Sequence, residues 1–98
     1  MWSIKIHRLV IEEDFKKIDS LQQSYILRTI RKKLSLEPGA YGKPLRGDFK
    51  GYWKLPVGDF RVIYRIIKNK ILVLVIKVGI RRDAKVYEKL FFRLRKLF

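Results

Sequence analysis

The run ILVLVIKV, from Ile71 to Val78, has no polar residue for its first six positions. Such a run cannot be a half-exposed strand, and it is far below the roughly 20 residues needed to cross a bilayer. Bounded by Lys68-Asn69-Lys70 and by Gly79, it predicts a central strand covered on both faces. The segment before it alternates. Phe60, Val62, Tyr64 and Ile66 face one way, and Arg61, Ile63, Arg65 and Ile67 the other, with the period of two of a pleated strand. Lys68-Asn69-Lys70 reads as a tight hairpin between the two. Tyr52 to Leu55 reads as a short strand, closed by a turn at Pro56-Val57-Gly58-Asp59. Three consecutive strands with short connections predict an antiparallel meander.

The N-terminal half has a different period. Ile4 and Ile6 alternate with Lys5 and His7, a short strand in which His7 is read as structural or solvated. Val10, Ile11, Phe15 and Ile18 then form a helical stripe. Ser20 followed by Gln23 reads as a capping box opening a second helix, with Ile26, Ile30 and Leu34 four apart and Pro38-Gly39 as its stop. Tyr41 to Gly51 reads as a Gly-rich loop. From about Asp83 the chain is helical again, with Val86, Leu90, Leu94 and Leu97 on one stripe and Phe91 and Phe98 beside it. The expectation is an α+β fold in the order β-α-α-β-β-β-α over residues 1–98 as one domain: an N-terminal strand and helical hairpin packed on an antiparallel sheet, and a closing helix.

Lys and Arg total 24 against nine Asp and Glu, a formal net charge of +15. Self-repulsion of that size favours a polyanionic partner, with nucleic acid the commonest. No cysteine is present and His7 is the single histidine, which removes thiol chemistry and the usual metal-ligand clusters; no metal or cofactor is expected. The N-terminus MWSIKIHR has no long apolar segment of a secretory signal, and a cytoplasmic location without membrane association is the expectation. The basic, amphipathic tail Glu88–Phe98 could lie on an anionic membrane, but is read as a docking helix.

No carboxylate pair, nucleophile triad or phosphate loop stands in the chain, so an enzyme built from it works with Lys, Arg and Tyr. Internal cleavage of RNA suits that set. The 2′-hydroxyl supplies the nucleophile, and the protein needs only to move two protons and to stabilise charge on the phosphate. Lys54 on the first meander strand and Arg61 at the start of the second meet across the turn at Gly58. Arg81 ends the third strand, and Tyr87 lies in the first turns of the last helix.

Together these residues carry a resemblance. Leu45-Arg46-Gly47, the pair Lys54-Leu55 followed five residues later by Arg61-Val62-Ile63-Tyr64, and Val78-Gly79-x-Arg81 followed by Val86-Tyr87 resemble, in order and spacing, the RelE family of bacterial and archaeal toxins. The resemblance covers Pro44 to Tyr87 closely and implies a toxin of a type II toxin–antitoxin system: an endoribonuclease that cuts mRNA in the ribosomal A site and is held inactive by an acidic antitoxin. It implies that Arg81 assists protonation of the leaving oxygen. Lys54 and Arg61 would stabilise phosphorane-like charge, and Tyr87 would orient or deprotonate the 2′-hydroxyl. Arg46, Lys50, Tyr52, Arg65 and Arg82 are the expected contacts to mRNA and ribosomal RNA. The chain departs from the family at Tyr52, where a lysine is expected, and at Ile80, where many relatives carry histidine. Lys50 could replace the missing lysine only if the strand extends that far. Two other readings remain: a ParE-like toxin of the same fold that targets DNA gyrase, and an RNA-binding module in which Tyr52, Trp53 and Phe60 stack on bases without cutting.

Overall fold

The computed structural model describes residues 1–97. Strands β1 (Ser3–Ile6), β2 (Lys43–Pro44), β3 (Tyr52–Val57), β4 (Phe60–Ile67) and β5 (Leu72–Ile80) form one sheet in the order β1-β5-β4-β3-β2. The meander β3-β4-β5 is antiparallel as expected, and β2 pairs antiparallel with β3. The first strand differs from the all-antiparallel expectation: β1 runs parallel to β5, Ser3 opposite Leu72 and Ile6 opposite Val75. The sheet is therefore mixed. Beside β1 the last strand becomes central, which is why its sequence lacks alternation.

Helices cover both faces. Helix α1 (Ser20–Leu34) buries Ile26, Ile30 and Leu34 in a cluster with Leu55, Val57, Val62, Tyr64, Val73, Val75 and Val78. Helix α3 (Val86–Leu97) closes the opposite face, where Leu90 packs with Ile63 and Ile76. Leu94 and Leu97 extend that cluster, whereas Phe91 and Phe92 remain exposed. Phe98 lies outside the described residues. The one-turn helix α2 (Pro38–Tyr41) leads into β2.

Two local features depart from the sequence reading. The first predicted helix is a wide π-type turn at Val10–Asp14, closed by the Phe15 amide on the Val10 carbonyl, followed by a 3₁₀ turn at Phe15–Lys17. The wide turn points both Asp14 and Phe15 inward while Ile11 stays exposed. The cap of α1 is Asp19, not Ser20: its Oδ1 accepts the Gln22 amide at 2.9 Å. Gln23 instead donates its side-chain amide to the carbonyls of Phe15 and Ile18, both at 2.7 Å, tying the 3₁₀ turn to the helix.

Ile63 of β4 faces Lys77, but Tyr64 faces Val75, so Ile76 is an extra, bulged residue. Beyond Val75 strand β1 has diverged, and the edge of β5 is completed by side chains. Asp14 Oδ2 accepts the Val78 amide at 2.9 Å, and Arg93 Nη1 donates to the Ile76 carbonyl at 3.1 Å. The same carboxylate takes both Arg93 Nη1 and Nη2, at 2.7 and 2.9 Å, and Lys77 Nζ at 3.2 Å. Asp14, Lys77 and Arg93 are 7, 6 and 6% exposed. Burial pushes the Lys77 amine below its ordinary value, with Asp14 opposing. At Arg93 the carboxylates of Asp14 and Glu13 outweigh the burial penalty and raise its pKa.

A cation-lined cleft on the helix α3 face of the sheet

Because Leu55 and Val57 point into the α1-side core, the pleat turns Lys54 and Pro56 to the α3 side. In β4, Ile63 packs on the α3 side, and Arg61, two residues earlier, shares its face. The β3–β4 connection is a two-residue turn with Gly58 at φ 58°, which sets Pro56 opposite Arg61. Arg81 follows β5, and its amide donates to the Asp59 carbonyl at 2.8 Å, fixing the strand end against that turn. Lys54, Arg61 and Arg81 thereby line one cleft of about 210 Å³ together with Tyr41, Lys43 and Pro56.

Tyr87 is held beside this group rather than in its lining. The Arg61 guanidinium lies over the Tyr87 ring, 5.2 Å from its centroid, and Phe49 packs on the same ring at 5.8 Å. Gly79 sets how closely helix α3 approaches: a Cβ there would lie 2.6 Å from Val86 Cγ2. Asp83 supports the helix entry, accepting the Lys85 amide at 2.9 Å and pairing with Lys89 at 2.7 Å. Those bonds, that from Lys89 first, hold its carboxyl below the usual range.

The expected RNA contacts disperse. Arg46 and Lys50 are exposed at the two ends of the 3₁₀ turn Gly47–Phe49, and β3 begins only at Tyr52, so Lys50 lies outside the strand. It therefore does not replace the missing lysine. Tyr52 packs in the α3-side cluster and, with Phe49, Phe91 and Leu94, lines a separate cleft of about 450 Å³. Arg65, opposite Tyr52, and Arg82, in the turn after β5, are exposed and do not line the cation cleft. Trp53 and Phe60 pack on the α1-side core, the face opposite Lys54. The stacking trio of the binding-module reading is thus split between two faces.

Sequence reasoning missed Tyr41 and Lys43, which lie in a stretch read as loop. The available signal was Gly42. A Cβ at that position would lie 2.8 Å from the Lys54 carbonyl oxygen and overlap the Tyr64 hydroxyl, so only glycine lets β2 lie against β3. The Tyr64 hydroxyl donates to the Pro38 carbonyl at 2.6 Å in the core, and burial pushes its pKa up to about 12.

No ion pair among the described residues involves Lys43, Lys54, Arg61 or Arg81. A larger cleft, about 330 Å³, lies over the buried Asp14 cluster, but Glu13 and Asp14 already compensate part of its positive lining. The 210 Å³ cleft has no carboxylate in its lining, which makes it the better anion site.

This architecture is that of the toxins of type II toxin–antitoxin systems in the RelE/ParE superfamily. The chain belongs to the family described as ParE toxin of type II toxin–antitoxin system, whose model matches residues 4–85. It is similar in structure to the RelBE2 toxin–antitoxin complex of Mycobacterium tuberculosis, with a TM-score of 0.76 and 26% identity over 84% of this chain and 93% of that one. The isolated RelE toxin of Escherichia coli gives 0.67 and 21%, over 96% and 99%. The archaeal RelE–RelB complex of Pyrococcus horikoshii gives 0.60 and 20%, over 85% and 98%. No curated protein sequence matches. Among the described residues no helix is long and apolar enough to cross a membrane.

Proposed function

We propose that this toxin is a metal-independent endoribonuclease that cuts mRNA in the ribosomal A site. The observation that carries the reading is the convergence of Lys54, Arg61 and Arg81 on one cleft free of carboxylates, with Tyr87 held under Arg61. In the reaction the 2′-oxygen attacks the adjacent phosphorus, forming a 2′,3′-cyclic phosphate, and the bond to the 5′-oxygen breaks. One proton leaves the 2′-oxygen and one reaches the 5′-oxygen. Tyr87 orients or deprotonates the 2′-hydroxyl, Lys54 and Arg61 stabilise the charge on the non-bridging oxygens, and Arg81 assists protonation of the leaving oxygen. Arg46, Lys50, Arg65 and Arg82, exposed around the molecule, are suited to sequence-independent contacts with ribosomal RNA, and the half-buried Tyr52 to a contact with mRNA. Residues 1–98 act as one toxin domain in the cytoplasm.

The partner that restrains it is an acidic antitoxin. The charge of +15 and the likeness to toxin–antitoxin complexes support this. The test is cleavage of mRNA on translating ribosomes by the wild type and Arg81→Ala. Cuts should map to the A-site codon and fall roughly 10²- to 10⁴-fold in the variant, with little loss of ribosome binding.

A second reading is favoured by the ParE description of the matching family model: a toxin acting on DNA gyrase. Wild-type protein that leaves ribosomal mRNA intact but inhibits supercoiling would establish it instead.

A further inference from the structure

Strand β2 has only two residues, and its register places Lys43 directly opposite Lys54. Side chains directly opposite in an antiparallel pair start about 5 Å apart, and like charges there repel. Both lysines line the cleft that also takes Arg61 and Arg81. None of the four has a carboxylate partner among the described residues. The register is enforced, since Gly42 permits close approach to the Lys54 carbonyl and the Leu45 amide donates to the Tyr52 carbonyl at 2.8 Å. A cross-strand repulsion built into a rigid register is a local cost that a bound anion relieves.

We infer that Lys43 is a substrate-contacting residue, paired with Lys54 to hold the non-bridging oxygens of one RNA phosphate. The inference rests on the ribonuclease reading for its catalytic consequence, but not for the phosphate contact itself. Tyr41, 48% exposed and on the same rim, is placed to take the neighbouring base on its ring face. The Lys33 ammonium lies 5.6 Å from the centroid of the same ring.

The experiment uses Lys43→Ala, Lys43→Gln and Lys43→Arg in the full chain. Two readouts are taken: mRNA cleavage on translating ribosomes, and binding of a short 2′-O-methyl RNA, which cannot be cut, across a salt series. Removing one charge-assisted phosphate contact should lower cleavage roughly 10- to 100-fold in the Ala and Gln variants, and Lys43→Arg should stay within a few-fold of wild type. The slope of log affinity against log salt should become shallower by about 0.7 in the Ala and Gln variants. Melting temperatures should be unchanged or higher, because a like-charge pair is removed. Unchanged cleavage or an unchanged salt slope overturns the inference and leaves the ribonuclease reading intact. Reduced cleavage accompanied by lower melting temperatures in both the Ala and Gln variants overturns it too, as a structural role. If the wild type does not cut ribosomal mRNA, the ribonuclease reading fails, and the salt slope alone decides whether Lys43 holds a phosphate.

Discussion

Asp14→Ala is the most severe single change that the structure suggests outside the cleft. One carboxylate accepts the Arg93 fork at 2.7 and 2.9 Å, Lys77 at 3.2 Å and the Val78 amide at 2.9 Å. Truncation leaves the buried Lys77 without a counter-charge, Arg93 with only Glu13 at 3.1 Å, and an edge amide without an acceptor. Breaking a buried ion pair in this way costs about 3–5 kcal/mol. A protein of this length has roughly 5–15 kcal/mol in total, so the loss is a large share of it. At about 4–8 °C per kcal/mol, the melting temperature should fall by roughly 15–30 °C, and the urea midpoint by about 2 M. Replacing the group with Asp14→Leu, Lys77→Met and Arg93→Met together should recover most of the loss, because an apolar set leaves no stranded charge. Lys77 gives the pH signature. Its folded pKa lies below the unfolded value of 10.5, so between the two the unfolded chain binds more protons and stability rises with pH. Asp14 opposes that depression, so in Asp14→Ala the rise should begin at lower pH. Chemical denaturation between pH 7 and 10 measures both effects. A loss under about 1 kcal/mol, or a pH profile parallel to wild type, would refute the reasoning.

Other outcomes follow from single contacts. Gly42→Ala should displace β2 and strain the Tyr64–Pro38 hydrogen bond, costing about 2–4 kcal/mol and lowering cleavage by detaching Lys43 from the cleft; thermal melts and the ribosome assay report the two separately. Gly79→Ala should push back the start of α3 at Val86, reducing cleavage through Tyr87 more than it lowers stability, which a comparison with Tyr87→Phe would test. His7 is held below its ordinary pKa of 6.5 by burial and then by Arg8, Arg93 and Lys5, and its Nδ1 accepts the Leu9 amide at 3.1 Å. Stability should therefore fall as pH drops through 6.5 towards the folded value, and His7→Gln should flatten that fall in urea midpoints measured from pH 5 to 8. Tyr64 should ionise near 12 in an ultraviolet titration, a step absent in Tyr64→Phe; stability should decline from about pH 10 upward through that value.

The sheet was the legible part of the chain. Alternation in Phe60–Ile67 gave the facing of β4 correctly, because Val62 and Tyr64 on one side and Ile63 on the other meet different clusters. The lack of alternation announced a covered strand, which begins at Leu72 while Ile71 stays exposed in the preceding turn, and the turn at Gly58 placed Lys54 near Arg61. Arg81 was harder, since its position depends on a register and on a backbone bond to Asp59 that no local pattern encodes. Lys43 was invisible because a two-residue strand has no periodicity. The Asp14–Arg93 pair was hidden for another reason: its partners are 79 residues apart, and each looks like an ordinary solvated charge among its neighbours. Asp19 and Ser20 are both good caps; tertiary contacts through Gln23 settled which one serves.

The parallel pairing of β1 with β5 has a consequence for biosynthesis. Ribosomes add roughly 5–20 residues per second from the N-terminus, and residues 3–6 have no strand to pair with until residues 72–75 exist. Asp14 likewise waits for Lys77, Val78 and Arg93. The cleft is completed only by Arg81, after the 80 residues before it have been made. A nascent chain therefore carries the positive charge of its first 70 residues with neither a partner strand for β1 nor an assembled cleft, and gains both only as β5 and Arg81 are added.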